Sequence, residues 1–156
     1  MATLEDYKKF MAEVSKLTDL PAMTSDDDGL VCVRVEEEYI VNLQYIAAAD
    51  KVLCFVEVTD LPEDTPAEVY RELLAGSLFG RETGGGYFAL DRDTNTVVYN
   101  YVFDFAVIAK DPAEFVESLE KILQNVDVWA VRIGTGISEL SGDDSSRQSE
   151  ETFIQP

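Results

Sequence analysis

Residues Leu73 to Asp91 read LLAGSLFGRETGGGYFALD, and within that stretch a helix ends, a glycine run passes and a strand begins. Upstream, Val69, Tyr70, Leu73, Leu74 and Leu78 recur at helical spacing on more than one side of the cylinder, and Gly80 is placed to end the helix. Thr65, Pro66 and Glu68 offer it an N-cap, a proline at its first position and a capping-box glutamate. Downstream, Tyr87 to Leu90 and Val97 to Phe105 alternate as two strands around a polar turn, Asp91 to Thr96, which predicts a hairpin. The second strand sets Tyr99, Tyr101, Phe103 and Phe105 on one face and Val98, Asn100, Val102 and Asp104 on the other. Gly84, Gly85 and Gly86 leave a helix and enter a strand, the reverse of a phosphate loop, so they predict a tight backbone path rather than an anion cradle.

Working towards the N-terminus, three runs of period two predict strands joined by short connectors. Val31, Val33 and Val35, then Tyr39, Val41, Leu43 and Tyr45, then Val52, Cys54, Val56 and Val58 build one uniformly apolar face. The other face is mixed: Leu30, Cys32 and Arg34, then Ile40, Asn42 and Gln44, then Lys51, Leu53, Phe55 and Glu57. A fully solvated face has no need of Leu30, Ile40, Leu53 and Phe55, so part of it is expected to be covered. Before the meander, Leu4, Tyr7, Phe10, Met11, Val14 and Leu17 mark an amphipathic helix with Thr3 as N-cap and Pro21 closing the segment.

Towards the C-terminus, Asp111, Pro112 and Glu114 repeat the capping device, and Phe115, Leu119, Ile122, Leu123, Val126, Trp129 and Ile133 form the stripe of a last helix that Gly134 is expected to end. Residues 135–156 are rich in Ser, Gly and acids and read as a disordered tail behind a single domain, 1–134. The elements in order predict an α+β fold, α-β-β-β-α-β-β-α: a twisted antiparallel sheet with helices packed mainly on one face.

The chain carries 31 acidic and 12 basic residues and a formal net charge of −19. Removing Ser138 to Pro156 takes away five acids and one base and leaves −15, so the acidity belongs to the domain. Such a field repels phosphate backbones and anionic lipid, and the basic residues do not cluster; nucleic acid is excluded as a partner, and a basic or unfolded protein is favoured. With no histidine, Ser-His hydrolysis and the commonest zinc ligand are absent. Asp91, Asp93 and Asn95 open like a calcium loop, but Thr96 stands where glycine is needed and Val102 where a bidentate glutamate is needed. The expectation is no catalytic residue, no metal and no cofactor. Cys32 and Cys54 sit in apolar runs as small buried hydrophobes rather than a disulfide. The opening residues lack the apolar core of a signal peptide and no run is long enough to span a membrane, which predicts a cytoplasmic protein without membrane insertion.

The element order, with Leu73-Leu74, Leu78-Phe79-Gly80, Thr83-Gly84-Gly85 and Leu90-Asp91 before an aromatic-rich strand, resembles the class I type III secretion chaperones of the Tir-chaperone type over roughly Thr3 to Ile133. The resemblance implies a cytoplasmic homodimer without cofactor or enzymatic activity, binding the N-terminal chaperone-binding segment of a secreted effector and keeping it extended and export-competent. It implies a dimer interface on Leu73, Leu74, Leu78, Phe79, Tyr99 and Tyr101, and effector contact on Phe10, Leu30, Cys32, Ile40, Leu53 and Phe55. Gly86 and the acidic tail depart from that pattern. The alternative is a regulatory or protein-stability factor of the same fold outside any secretion system.

Overall fold

The computed structural model describes residues 2–154, and the side chains as far as Ser138. Helix α1, Leu4–Lys16, is started by Thr3, whose hydroxyl accepts from the Asp6 N–H while the Asp6 carboxylate accepts from the Thr3 N–H, a reciprocal cap. The Asp6 carboxyl is held below its ordinary value chiefly by that backbone hydrogen bond. Strands β1 (Leu30–Val35), β2 (Tyr39–Ile46) and β3 (Lys51–Asp60) follow, then α2 (Ala67–Gly76), a 3₁₀ turn (Leu78–Gly80), β4 (Tyr87–Asp91), β5 (Thr96–Asp104), a short α3 (Phe105–Ile108) and α4 (Pro112–Ile154). The predicted element order holds, with the 3₁₀ turn and α3 added.

All five strands form one antiparallel sheet in the order β1-β2-β3-β5-β4, leaving β1 and β4 at the edges. The alternation read from sequence sets its register: Val31, Leu43 and Cys54 lie side by side on the face that the helices cover. On that face Tyr7 and Phe10 of α1 each meet Phe105 of α3 edge to face, at 6.0 and 5.5 Å, and Phe10 meets Phe115 of α4 in a tilted pair at 5.2 Å. The Tyr7 hydroxyl, wholly buried, donates to the Leu43 carbonyl at 2.9 Å, so α1 is tied to β2 by a directional bond as well as by packing. Helix α4 seats Leu119, Ile122, Val126, Trp129 and Ile133 in the same core.

Three local expectations need correcting. Helix α2 begins at Ala67 with Pro66 as its unassisted cap, because the Thr65 hydroxyl turns back to the Pro62 carbonyl at 2.5 Å instead of meeting a helix N–H. It ends at Gly76 rather than Gly80; the Ser77 hydroxyl takes the Leu73 carbonyl at 2.8 Å, and Phe79, at φ 56°, cannot continue the spiral. Helix α4 does not stop at Gly134: that glycine keeps a negative φ, and Ile137 carries the stripe one turn past Ile133 onto the core. Helical backbone runs on to Ile154, while the side chains on which the expected disorder of the tail turns, from Glu139 onward, lie outside the described residues.

Candidate functional site

The junction that opens between α2 and β4 is held from three directions. The Tyr99 hydroxyl of β5 and the Asn125 amide of α4 both donate to the Thr83 carbonyl, at 2.6 and 2.7 Å, and the Trp129 indole donates to the Glu82 carbonyl at 3.0 Å. The Thr83 hydroxyl, wholly buried, donates to the Gly86 carbonyl. Those carbonyls would otherwise be unpaired in a turn that has no ladder to join, so β5 and α4 supply the donors that the turn lacks. Burial of the Tyr99 ring and hydroxyl pushes that phenol up to about 12, so it remains a donor at every physiological pH.

Close packing explains two of the glycines. A Cβ on Gly76 would stand 2.4 Å from the Trp129 ring, and one on Gly86 would stand 2.3 Å from the Tyr99 hydroxyl and 2.5 Å from the Asn100 carbonyl. The stretch is therefore a structural knot, and what it presents outward is apolar. Leu74, Leu78 and Phe79 are 72%, 57% and 80% exposed, with the Arg81 guanidinium 5.5 Å over the Phe79 ring.

Of the residues expected at a subunit interface, these three face solvent, Tyr101 is half-buried against Gly85, and Leu73 and Tyr99 are buried in the core of their own chain. Helical and strand periodicity finds apolar faces but does not say which of two is already covered, and here the protomer itself covers those two positions.

A second apolar surface is a groove of about 640 Å³ between the end of α1, the β1–β2 pair and α4. Val33, Val41 and Leu119 form its floor and Leu123 one wall, while Leu17, expected on the buried stripe of α1, stands 53% exposed at its lip because α1 ends at Lys16. The Tyr39 hydroxyl donates to Asp127 Oδ1 at 2.8 Å across the groove; burial, then that bond, pushes the Tyr39 hydroxyl far above its ordinary range. Sequence reading missed this groove, because its walls come from three elements far apart in the chain.

The opposite sheet face carries the other expected partner residues except one. Leu30, Ile40, Leu53 and Phe55 are half-buried there and Cys32 is exposed, with no described helix packed over them. The exposed Cys32 corrects the expectation of two buried cysteines; Cys54 is buried on the helix side, and both are free thiols. Phe10 belongs to neither surface, since it packs between Phe105 and Phe115 in the core. Among the described residues no cluster of His, Cys, Asp or Glu could hold a metal ion, and no helix is long and apolar enough to cross a membrane.

The model of the Tir chaperone protein (CesT) family matches residues 9–130, from the middle of α1 to the buried stripe of α4. The chain belongs to that family. It is also similar to a protein of Chlamydia pneumoniae, at 30% identity over 111 residues that make up 71% of this chain and 82% of the other. The CesT-family fold is shared with solved structures at lower identity. An ExsC–ExsE complex aligns at a TM-score of 0.69 and 20% identity, covering 83% of this chain and 95% of that one. A HopA1–SchA chaperone–effector complex aligns at 0.61 and 17%, with the same coverage of the two chains. The heterodimeric ExoU–SpcU complex from the type III secretion system of Pseudomonas aeruginosa aligns at 0.56 and 15%, covering 83% and 96%. At these identities the likeness is one of fold, and it confirms the α+β architecture expected from the sequence.

Proposed function

We propose that this CesT-family protein is a type III secretion chaperone that binds the N-terminal chaperone-binding segment of an effector and keeps it extended and export-competent. The observation that carries the reading is the open apolar groove beside α1 in a chain whose family is one of chaperones. A segment with no fold of its own can lay apolar side chains on Val33, Val41 and Leu123 and remain otherwise solvated. The free edge of β1 lies along the same groove, and antiparallel alternation turns the backbone groups of Cys32 and Arg34 outward there, ready to pair with an added strand. The outward sheet face, with Leu30, Ile40, Leu53 and Phe55, extends the surface available to a long segment.

The protein acts by binding rather than by catalysis, in the bacterial cytoplasm, as a homodimer. Leu74, Leu78 and Phe79 are the contact we assign to the second copy, with Tyr101 at its margin. Leaving such a patch in water is costly at roughly 25 cal/mol per Å² of apolar surface, which favours a standing partner over an occasional one. Co-expression with the products of neighbouring genes tests the function. A soluble complex with an export substrate, lost when that substrate's N-terminal segment is deleted, is expected; a substrate that remains soluble and secreted without this protein refutes the proposal.

A further inference from the structure

The groove beside α1 is apolar within and anionic around its mouth. Five carboxylates, on Asp19, Glu36, Glu38, Glu120 and Asp127, stand among the residues that line it, and no lysine or arginine does. Glu120 and Asp127 are seven positions apart on α4, about 10 Å along the axis, with Leu123 between them. Asp127 is oriented by the Tyr39 hydroxyl, which occupies one carboxylate oxygen and leaves the other to a visitor. The remote side of the sheet is different: Arg34 and Lys51 there balance Glu57 and Asp104, and Lys51 reaches Asp104 at 3.1 Å. The charge on the groove is thus a local feature, beyond what the net acidity of the chain requires.

That distribution limits what fills the groove. A second copy of the chain brings the same carboxylates to the contact, and the residues after Ser138 carry five acids and one base, so either occupant would set like charges together across an apolar seat. We infer that the groove selects an unfolded segment of another protein in which large apolar side chains are flanked on both sides by Lys or Arg. The apolar side chains fill the floor, and the cations meet Glu36 and Glu38 at the β1–β2 turn and Glu120 and Asp127 on α4. The inference rests on the chaperone reading and adds the chemistry of the bound segment.

The test uses the full chain and two short fluorescein-labelled peptides, one with a central Leu/Val run flanked by Lys, the other identical with Gln for every Lys. Anisotropy titrations at low and high salt compare the native chain, the pair Glu120→Gln/Asp127→Asn, and the control pair Glu63→Gln/Asp64→Asn, which removes the same charge from the exposed loop before α2. The Lys peptide is expected to bind roughly three- to tenfold more tightly than the Gln peptide at low salt, with the margin shrinking at high salt. The groove pair should remove most of that margin and the control pair little of it. Equal binding of the two peptides overturns the inference, as does equal loss in groove and control pairs. If the peptides bind equally and Leu123→Asp abolishes both, the groove is a protein-binding seat without charge selection, so the chaperone reading survives and this inference falls. A change of oligomeric state in the groove pair marks the seat as self-occupied and overturns the inference, as does failure of either peptide to bind.

Discussion

Substituting alanine along the glycine run separates space from backbone strain. Gly86 keeps a φ open to any residue, but a methyl group there meets the Tyr99 hydroxyl at 2.3 Å and the Asn100 carbonyl at 2.5 Å. Neither neighbour can give, because Tyr99 is buried and bonded to Thr83 and Asn100 is ladder backbone paired with Phe55 and Tyr87. Overpacking of this kind costs about 1–3 kcal/mol, and displacing Tyr99 forfeits a buried hydrogen bond of about 1 kcal/mol, so Gly86→Ala should lose about 3 kcal/mol. Gly84 presents the opposite case, with φ at 66° and nothing closer to an added methyl than the Asn125 amide at 3.7 Å. Its alanine variant bears only the left-handed conformation, roughly 1–2 kcal/mol, offset by about 0.4–1 kcal/mol from a stiffer unfolded chain. For a chain of this size the two variants should melt about 6–12 °C and about 2–4 °C below the native protein. Thermal unfolding by near-ultraviolet circular dichroism at one fixed protein concentration measures both, since a dimer's midpoint moves with concentration. If Gly84→Ala is as damaging as Gly86→Ala, the junction is held by backbone conformation, and the packing argument fails.

Other consequences can be measured directly. If Leu78 and Phe79 form the proposed subunit contact, the native chain should sediment as a dimer and Phe79→Asp together with Leu78→Asp as a monomer; an unchanged dimer in the variant moves the interface elsewhere. Burial pushes the Cys54 thiol up to about 12 from an ordinary value near 9, so between those pH values the unfolded chain gives up a proton that the folded chain retains. Stability should therefore be intact below pH 9 and fall by about 1.4 kcal/mol per pH unit between pH 9 and 10, above which the tyrosines whose hydroxyls burial pushes up, such as Tyr99, steepen the fall. Cys54→Val should flatten the slope between pH 9 and 10 in urea melts taken across that interval, and an identical slope in the variant would assign it to other groups. Asn125→Leu removes one of the two donors to the Thr83 carbonyl and should cost about 1 kcal/mol, read as a lower urea midpoint with unchanged slope.

How far the sequence reaches is decided by whether a residue's neighbours are local. The strands were legible because alternation such as Val31-Val33 against Cys32-Arg34 is imposed by the pleat itself, and the register followed once short turns joined them. The Asp111 cap on α4 was legible for the same reason, with its carboxylate accepting from the Glu114 N–H at 3.1 Å. Thr65 carried an equally good signal and formed no such cap, because the Pro62 carbonyl competed for its hydroxyl. Gly80 has the look of a helix stop, yet Ser77 already closes α2, and Gly134 has the same look and remains helical. The site residues divided along tertiary lines. Leu74, Leu78 and Phe79 are outside, whereas Leu73, Tyr99 and Phe10 are inside, and only the positions of Trp129, Thr83 and Phe105 decide which is which. The groove left no mark in any single stretch: its carboxylates run from Asp19 to Asp127, and nothing but the fold brings them to one mouth.

On the proposed function, the groove beside α1 holds an export substrate's N-terminal segment in extended form. Calorimetric titration of that segment, taken from a substrate that co-purifies with the chain, into the native protein and into Leu123→Asp tests it most directly. A tight complex with the native protein is expected, weakened at least about tenfold by the single charge in the groove, the scale of losing one well-buried apolar contact. Equal affinity for the two proteins, or binding only to the substrate's folded portion, would contradict it.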